Sequence, residues 1–159
     1  EIRNKRIENR ELLADLVVCS SQLKLKSVPN YLVPNLIDEI PILSLVAAFS
    51  DGQLKLDGIG ELRVKESNRL DAIQEILNTL GVQYEQQNDS LEITGAGKNF
   101  TFDGGSFNSF GDHRIAMCAA ISSVRSTSDV YIDDIESIAT SFPNFFSNLE
   151  QLGFKLIKS

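Results

Sequence analysis

The stretch SNRLDAIQEILNTLG (Ser67–Gly81) sets Leu70, Ile73, Ile76, Leu77 and Leu80 at the spacing of one helical face and then stops on a glycine. Ser67 or Asn68 can cap its start. Upstream, GQLKLDG (Gly52–Gly58) alternates as a short strand does, and PILSLVAAF (Pro41–Phe49) is apolar throughout and opens on proline, a good first helical residue. Downstream, VQYEQQNDSLEIT (Val82–Thr94) is two alternating runs about Asn88–Asp89–Ser90, which predicts a hairpin, and KNFTFDGG (Lys98–Gly105) continues in strand and turn. Before all of these, ADLVVCSSQLK (Ala14–Lys24) reads as a strand with a polar exit.

The order then returns. DHRIAMCAAISSV (Asp112–Val124) reads as a helix, and Ser109 with Asp112 fits an S-x-x-D capping box. DVYIDDI (Asp129–Ile135) reads as a strand, FPNFFSNLEQLG (Phe142–Gly153) as an amphipathic helix and FKLIK (Phe154–Lys158) as a closing strand. Asp38 and Asp112, Ile59 and Ile135, and Leu80–Gly81 and Leu152–Gly153 recur 72 to 76 residues apart. The pattern predicts an internally repeated β-α-β-α-β-β unit in an α/β (α+β) fold. Residues 1–28 are then the tail of a preceding unit, with complete units over about 29–95 and 96–159. Rotation between the units would gather helix N-termini at one end, where half-charges and free N–H groups attract anions.

Length and composition limit the function classes. The 159 residues suffice for one domain with a real core, and 42% hydrophobic with 23% charged residues is ordinary for a globular chain. No apolar run is expected to reach the length of a membrane span, and the charged start EIRNKRIENR is no signal peptide. The absence of an initial Met suggests a piece of something longer. A net charge of −7 argues against nucleic acid or an acidic membrane as partner, while leaving small anions open. Cys19 and Cys118 form no CxxC pair and read as two packed thiols in a reduced, cytoplasmic setting; with a single His, no metal site is expected.

Three stretches carry charge where chemistry could use it. ELRVKESNRL (Glu61–Leu70) places Lys65 at the end of an extended segment, Glu66 at the turn and Arg69 in the first helical turn. A cation there opposes the helix dipole, so the stretch reads either as a solvated helix start or as a place where Arg69 meets an anion. In LIDEIP (Leu36–Pro41), Asp38 and Glu39 either complement the dipole of the next helix or supply a half-dry carboxylate for acid–base work. In FGDHRIAM (Phe110–Met117), Arg114 again falls against the dipole, Asp112 reads as a cap, and His113 alone is more often structural than catalytic. Asp133–Asp134 reads as a solvated pair, and Phe142, Phe145 and Phe146 as core.

Together, LIDEIP…AAFSDG, LRVKESNRL and DHRIAM, in this order and with SFPNFF near the end, closely resemble the 5-enolpyruvylshikimate-3-phosphate synthase family (3-phosphoshikimate 1-carboxyvinyltransferases). The resemblance runs from ELLADLVVCSSQLK onward. It implies an enolpyruvyl transferase-like inside-out α/β barrel of β-α-β-α-β-β units, three per domain, of which this chain is most of the C-terminal domain. The implied reaction moves the enolpyruvyl group of phosphoenolpyruvate onto the 5-hydroxyl of shikimate 3-phosphate, releasing phosphate, in the pathway to aromatic amino acids. It needs neither metal nor organic cofactor, and glyphosate blocks it by occupying the phosphoenolpyruvate region. By position, Asp38 is the implied base at the 5-hydroxyl and Glu66 the implied proton partner of the enol carbon. Lys65, Arg69, Asp112, His113 and Arg114 are implied on the substrate-binding side, with Arg69 and Arg114 on the carboxylate and phosphate of phosphoenolpyruvate.

Thr140 stands where many members carry a lysine, a difference that touches one phosphate contact. The resemblance implies that the N-terminal domain, with its half of the active site, lies outside this chain, so the isolated chain is expected to be nearly inactive. Two alternatives stay open from sequence: a UDP-N-acetylglucosamine enolpyruvyl transferase-type enzyme, and a non-catalytic anion-binding or interaction domain.

Overall fold

The computed structural model describes residues 1–157. A hairpin of β1 (Ile2–Glu8) and β2 (Glu11–Leu16) opens the chain, followed by the short helix α1 (Val33–Leu36) and by α2 (Ile40–Ala48). Then come β3 (Gln53–Asp57), α3 (Arg69–Leu80), β4 (Tyr84–Gln87) and β5 (Ser90–Thr94). The order resumes with β6 (Gly105–Phe107), α4 (His113–Ser122), β7 (Val130–Ile132), α5 (Glu136–Ser141) and α6 (Phe145–Gln151). Strands β3, β5 and β4 form an antiparallel sheet with β5 in the centre, while β6 and β7 pair in parallel across α4. A second parallel crossover, marked by the bridge Lys24–Asp51, spans α2.

The sequence explains α3 in detail. Asn68 caps it by accepting from the Asp71 N–H, all five apolar residues of the predicted face are buried, and Gly81 leaves the helix at φ +72°, a conformation costly to any residue with a Cβ. Each buried aliphatic side chain contributes about 1.5–3 kcal/mol of transfer free energy. That face packs with α2, α4 and the inner sides of β3 and β5 (Leu54, Leu56, Leu91, Ile93) into one core. A smaller cluster of Ala116, Ala120, Ile138, Phe145 and Leu149 joins α4 to α5 and α6.

Several expectations give way to the structure. The segment before Lys65 is a 3₁₀ turn (Gly60–Val64), because Ile59 and Leu62, three apart, are both driven into the core. Asp112 itself caps α4 by accepting from the Arg114 N–H, while the Ser109 hydroxyl donates to the Asp134 carbonyl, so the Ser109 capping box does not form. Residues Phe154–Ile157 are not a strand: they make no ladder among the described residues, whereas the corresponding end of the first unit folds as the β4–β5 hairpin. Phe142 is 43% exposed beside the buried Phe145. Cys19 is exposed; only Cys118 is packed, and burial pushes its thiol up to about 12.

The helical stretch Asn30–Ala48 is, against expectation, long and apolar enough to cross a membrane. It bends instead through two 3₁₀ turns, carries Asp38 and Glu39 in its middle, and buries Val33, Ile37, Ile40 and Leu45 in the core.

Candidate active site

The N-terminal ends of α2, α3 and α4 meet on one side chain. Arg69, the first residue of α3, is 1% exposed, and its guanidinium reaches all three ends. Its Nε donates to Asp112 Oδ2 at 2.7 Å, its Nη1 to Asp38 Oδ1 at 2.8 Å and its Nη2 to Glu66 Oε2 at 2.5 Å. Asp112 is fully buried and also accepts from the Ser67 hydroxyl at 3.1 Å and the Arg114 N–H at 2.9 Å. One charged residue buried this deeply requires such pairing, since an unpaired ion would forfeit several kcal/mol of solvation.

Around this centre lies a more open ring. Lys65 Nζ stands 3.3 Å from Asp38 Oδ1 and 2.6 Å from Glu61 Oε1. Arg114 Nη1 donates to the Asp38 carbonyl at 2.8 Å and to Glu39 Oε1 at 2.9 Å, crossing from α4 to the start of α2. His113 is the first residue of α4, half-buried at the same end. Asp38 and Glu66 keep roughly half their side-chain surface in solvent, so the carboxylates face outward from the buried guanidinium.

The charges tune one another. Burial raises the Asp112 carboxyl, but the hydrogen bond from Arg69 and those from the Arg114 amide and Ser67 outweigh it and hold the group below the ordinary carboxylate value. Burial also raises Asp38, and the Lys65 hydrogen bond with the charges of Lys65, Arg69 and Arg114 reverses the sign, so Asp38 is ionised at neutral pH. Lys65 is held above its ordinary value, chiefly by its hydrogen bond to Glu61.

The geometry thus joins Asp38, Lys65, Glu66, Arg69, Asp112, His113 and Arg114 at one end of three helices. Asp112 does not face the ring: it lies sealed from solvent behind the Arg69 guanidinium. Thr140 lies outside the cluster on α5, its hydroxyl turned back to the Ser137 carbonyl at 2.7 Å. Glu39, read beside Asp38 as a candidate carboxylate, joins the network, and so do Glu61 and Ser67, which were not singled out for it. Of the two that were missed, Glu61 carried a legible signal, standing four residues before Lys65. Asp133, read as solvated, is exposed and also accepts from the Ser109 N–H at 2.8 Å, bracing the loop that leads to Asp112.

An end of this kind, with buried arginine, exposed carboxylates and converging helix dipoles, suits an anionic substrate that must also exchange protons. The sequence model of EPSP synthase (3-phosphoshikimate 1-carboxyvinyltransferase) matches residues 5–149. The chain belongs to the EPSP synthase family. It is 41% identical over 143 residues to the 3-phosphoshikimate 1-carboxyvinyltransferase of Limosilactobacillus fermentum, covering 90% of this chain and 33% of that protein. It is 44% identical over 146 residues to that of Paramagnetospirillum magneticum, covering 92% and 32%.

Solved EPSP synthase structures from Acinetobacter baumannii superpose with TM-scores of 0.90 and 0.91 at 36% and 33% identity. They cover 95% and 100% of this chain and 35% and 36% of theirs. The α/β fold is therefore that of the EPSP synthase family, and the chain spans about a third of the length of the relatives it matches.

Proposed function

We propose that the chain supplies one wall of the site in which the enolpyruvyl group passes from phosphoenolpyruvate to the 5-hydroxyl of shikimate 3-phosphate. Within this reading, residues 1–28 end one repeat unit, about 29–95 and 96–159 are two more, and the facing wall belongs to the N-terminal part that relatives carry and this chain does not span. The cytoplasmic setting expected from the sequence goes with the same reading. The observation that carries it is the meeting of Arg69 with Asp38, Glu66 and Asp112 at the ends of three helices.

The chemistry follows from which charges are held and which can be released. Without substrate, the outward cations Lys65 and Arg114 and the outer edge of Arg69 are engaged by Asp38, Glu39, Glu61 and Glu66. The carboxylate and phosphate of phosphoenolpyruvate replace those partners on Arg69 and Arg114, where a planar guanidinium can grip an oxyanion through two N–H groups. Lys65 and, at the start of α4, His113 line the shikimate 3-phosphate side. Loss of its cation contacts raises the basicity of Asp38, which takes the proton of the 5-hydroxyl as that oxygen bonds to C2 of the donor. Glu66, protonated once the donor has displaced it from Arg69, delivers that proton to C3, giving a tetrahedral adduct. In the second step the C2–O bond to phosphate breaks, phosphate leaves with the proton that Asp38 had taken, and Glu66 takes back a proton from C3. Every atom is supplied by the two substrates and two carboxylates.

The test is phosphate release from phosphoenolpyruvate plus shikimate 3-phosphate. It uses this chain alone and then mixed with the N-terminal two thirds of the Limosilactobacillus fermentum relative. Release only in the mixture supports the reading; no release from a mixture shown to associate would overturn it.

A further inference from the structure

We propose that Asp112 is a positioning residue that fixes the inner edge of the Arg69 guanidinium, so that the outer edge alone is offered to an anion. The inference rests on the reading of Arg69 as an anion-binding group and adds the group that holds it. Arg69 stands on the first turn of a helix, where the dipole repels it and where its long side chain has many rotamers to choose from. Two contacts remove that choice on the inner side: Nε to Asp112 Oδ2 at 2.7 Å, and Nη2 to Asp112 Oδ1 at 3.5 Å. Nη1, and the rest of Nη2, point the other way, toward Asp38 and Glu66.

Asp112 is itself immobilised. Ser67 holds Oδ2, the Arg114 N–H holds Oδ1, and the backbone of Asp112 opens α4. One buried carboxylate thereby ties the loop before α3 to the start of α4 and sets the separation of Arg69 from Arg114. Its full burial separates this role from substrate contact. It also explains how a cation survives against a helix dipole without ligand: its compensating charge belongs to a neighbouring helix.

The experiment uses the 159-residue chain and its Asp112→Asn variant. Asn caps helices as well as Asp does, so α4 keeps its start while the full charge is lost. The readout is the Nε–H resonance of Arg69 in ¹⁵N-correlated spectra, identified by its disappearance in Arg69→Lys. In the unmodified chain this proton is expected to exchange slowly with water. In Asp112→Asn, with unchanged helix content, its exchange should accelerate at least 10-fold, and affinity for phosphoenolpyruvate, titrated in the same samples, should fall about 10- to 100-fold, as loss of a hydrogen bond between charged groups predicts. A slowly exchanging Nε–H that survives Asp112→Asn in a folded chain would overturn the proposal, as would lost protection with unchanged affinity.

Should Asp112→Asn fail to fold, Ser67→Ala removes a single donor to Oδ2 and should still hasten Nε–H exchange; no change there would equally overturn it. If the unmodified chain alone binds no phosphoenolpyruvate, affinity is read in the complex with the relative's N-terminal part, where absence of binding defeats the substrate reading, and the exchange measurement still decides whether Asp112 holds Arg69.

Discussion

Two regions of this molecule compete for attention, and they differ in kind. Along the outer side of β7 and α6 runs a groove of about 1060 Å³, lined by Val124, Tyr131, Ile135, Leu149, Leu152 and Phe154. At the meeting of α2, α3 and α4 the guanidinium of Arg69 is enclosed by carboxylates of three segments. The groove is roomy and mostly apolar; Glu75, Asp129, Asp133 and Lys155 also line it, but among the described residues no ion pair joins them. The helix end has cations, carboxylates and perturbed titrations, but its ligand positions are filled by its own side chains. Volume alone would choose the groove; the chemistry chooses the helix end, because phosphoryl and carboxylate groups are recognised by fixed charge.

The comparison can be broken by substitution. The largest effect is expected from Arg69→Ala, which leaves Asp112 buried without its cation. Unfolding free energy should drop by about 3–5 kcal/mol, measured by urea titration. A loss under about 1 kcal/mol would mean that the pair is not the keystone of this end. Next, in the complex reconstituted with the relative's N-terminal part, Glu66→Gln should keep donor affinity and lower turnover about 10²-fold or more, as loss of acid–base catalysis does. An unchanged rate removes Glu66 from the mechanism.

Arg114→Ala should weaken phosphoenolpyruvate use about 10-fold in that complex. Its side chain is about a third exposed and paired to an exposed Glu39, so the melting temperature should barely move. Parallel losses of affinity and stability would make it a structural residue. Acid gives a gentler test. Asp112 and Asp38 have folded-state values below their unfolded ones, so the stability they confer is complete above the ordinary carboxylate range. It is lost as pH falls through the depressed folded values. Chemical unfolding at a series of pH values should show this acid limb in the unmodified chain and a shallower one in Asp112→Asn. Smallest of all, Val124→Ser or Leu152→Ser in the groove should change stability by no more than about 0.5 kcal/mol and leave anion binding intact.

How much of this was legible in the sequence depended on distance along the chain. Helix α3 was fully readable because cap, apolar face and terminal glycine all lie within 15 residues of one another. The core positions of β3 and β5 followed from alternation. The 3₁₀ turn over Gly60–Val64 was not readable, because nothing local in GELRV says that Ile59 and Leu62 are both claimed by the core. Helix α5 went unseen since ESIATS is short and buries only Ile138. At the site, Arg69 and Arg114 stood out because each opposes a helix dipole, a conflict that calls for a partner. Which partner they find was not local information. Arg69 reaches Asp112 across 43 residues and Arg114 reaches Glu39 across 75. Hence Asp112 was legible as a cap, which it is, while its place sealed beneath Arg69 was not.

The most direct test of the account is a phosphoenolpyruvate titration of the ¹⁵N-labelled chain, followed at backbone amides. The account predicts saturable shifts at Lys65–Arg69 and Asp112–Arg114, and none along Val130–Ile132 or Phe154–Ile157. Saturable shifts along the groove with a silent helix end would contradict it.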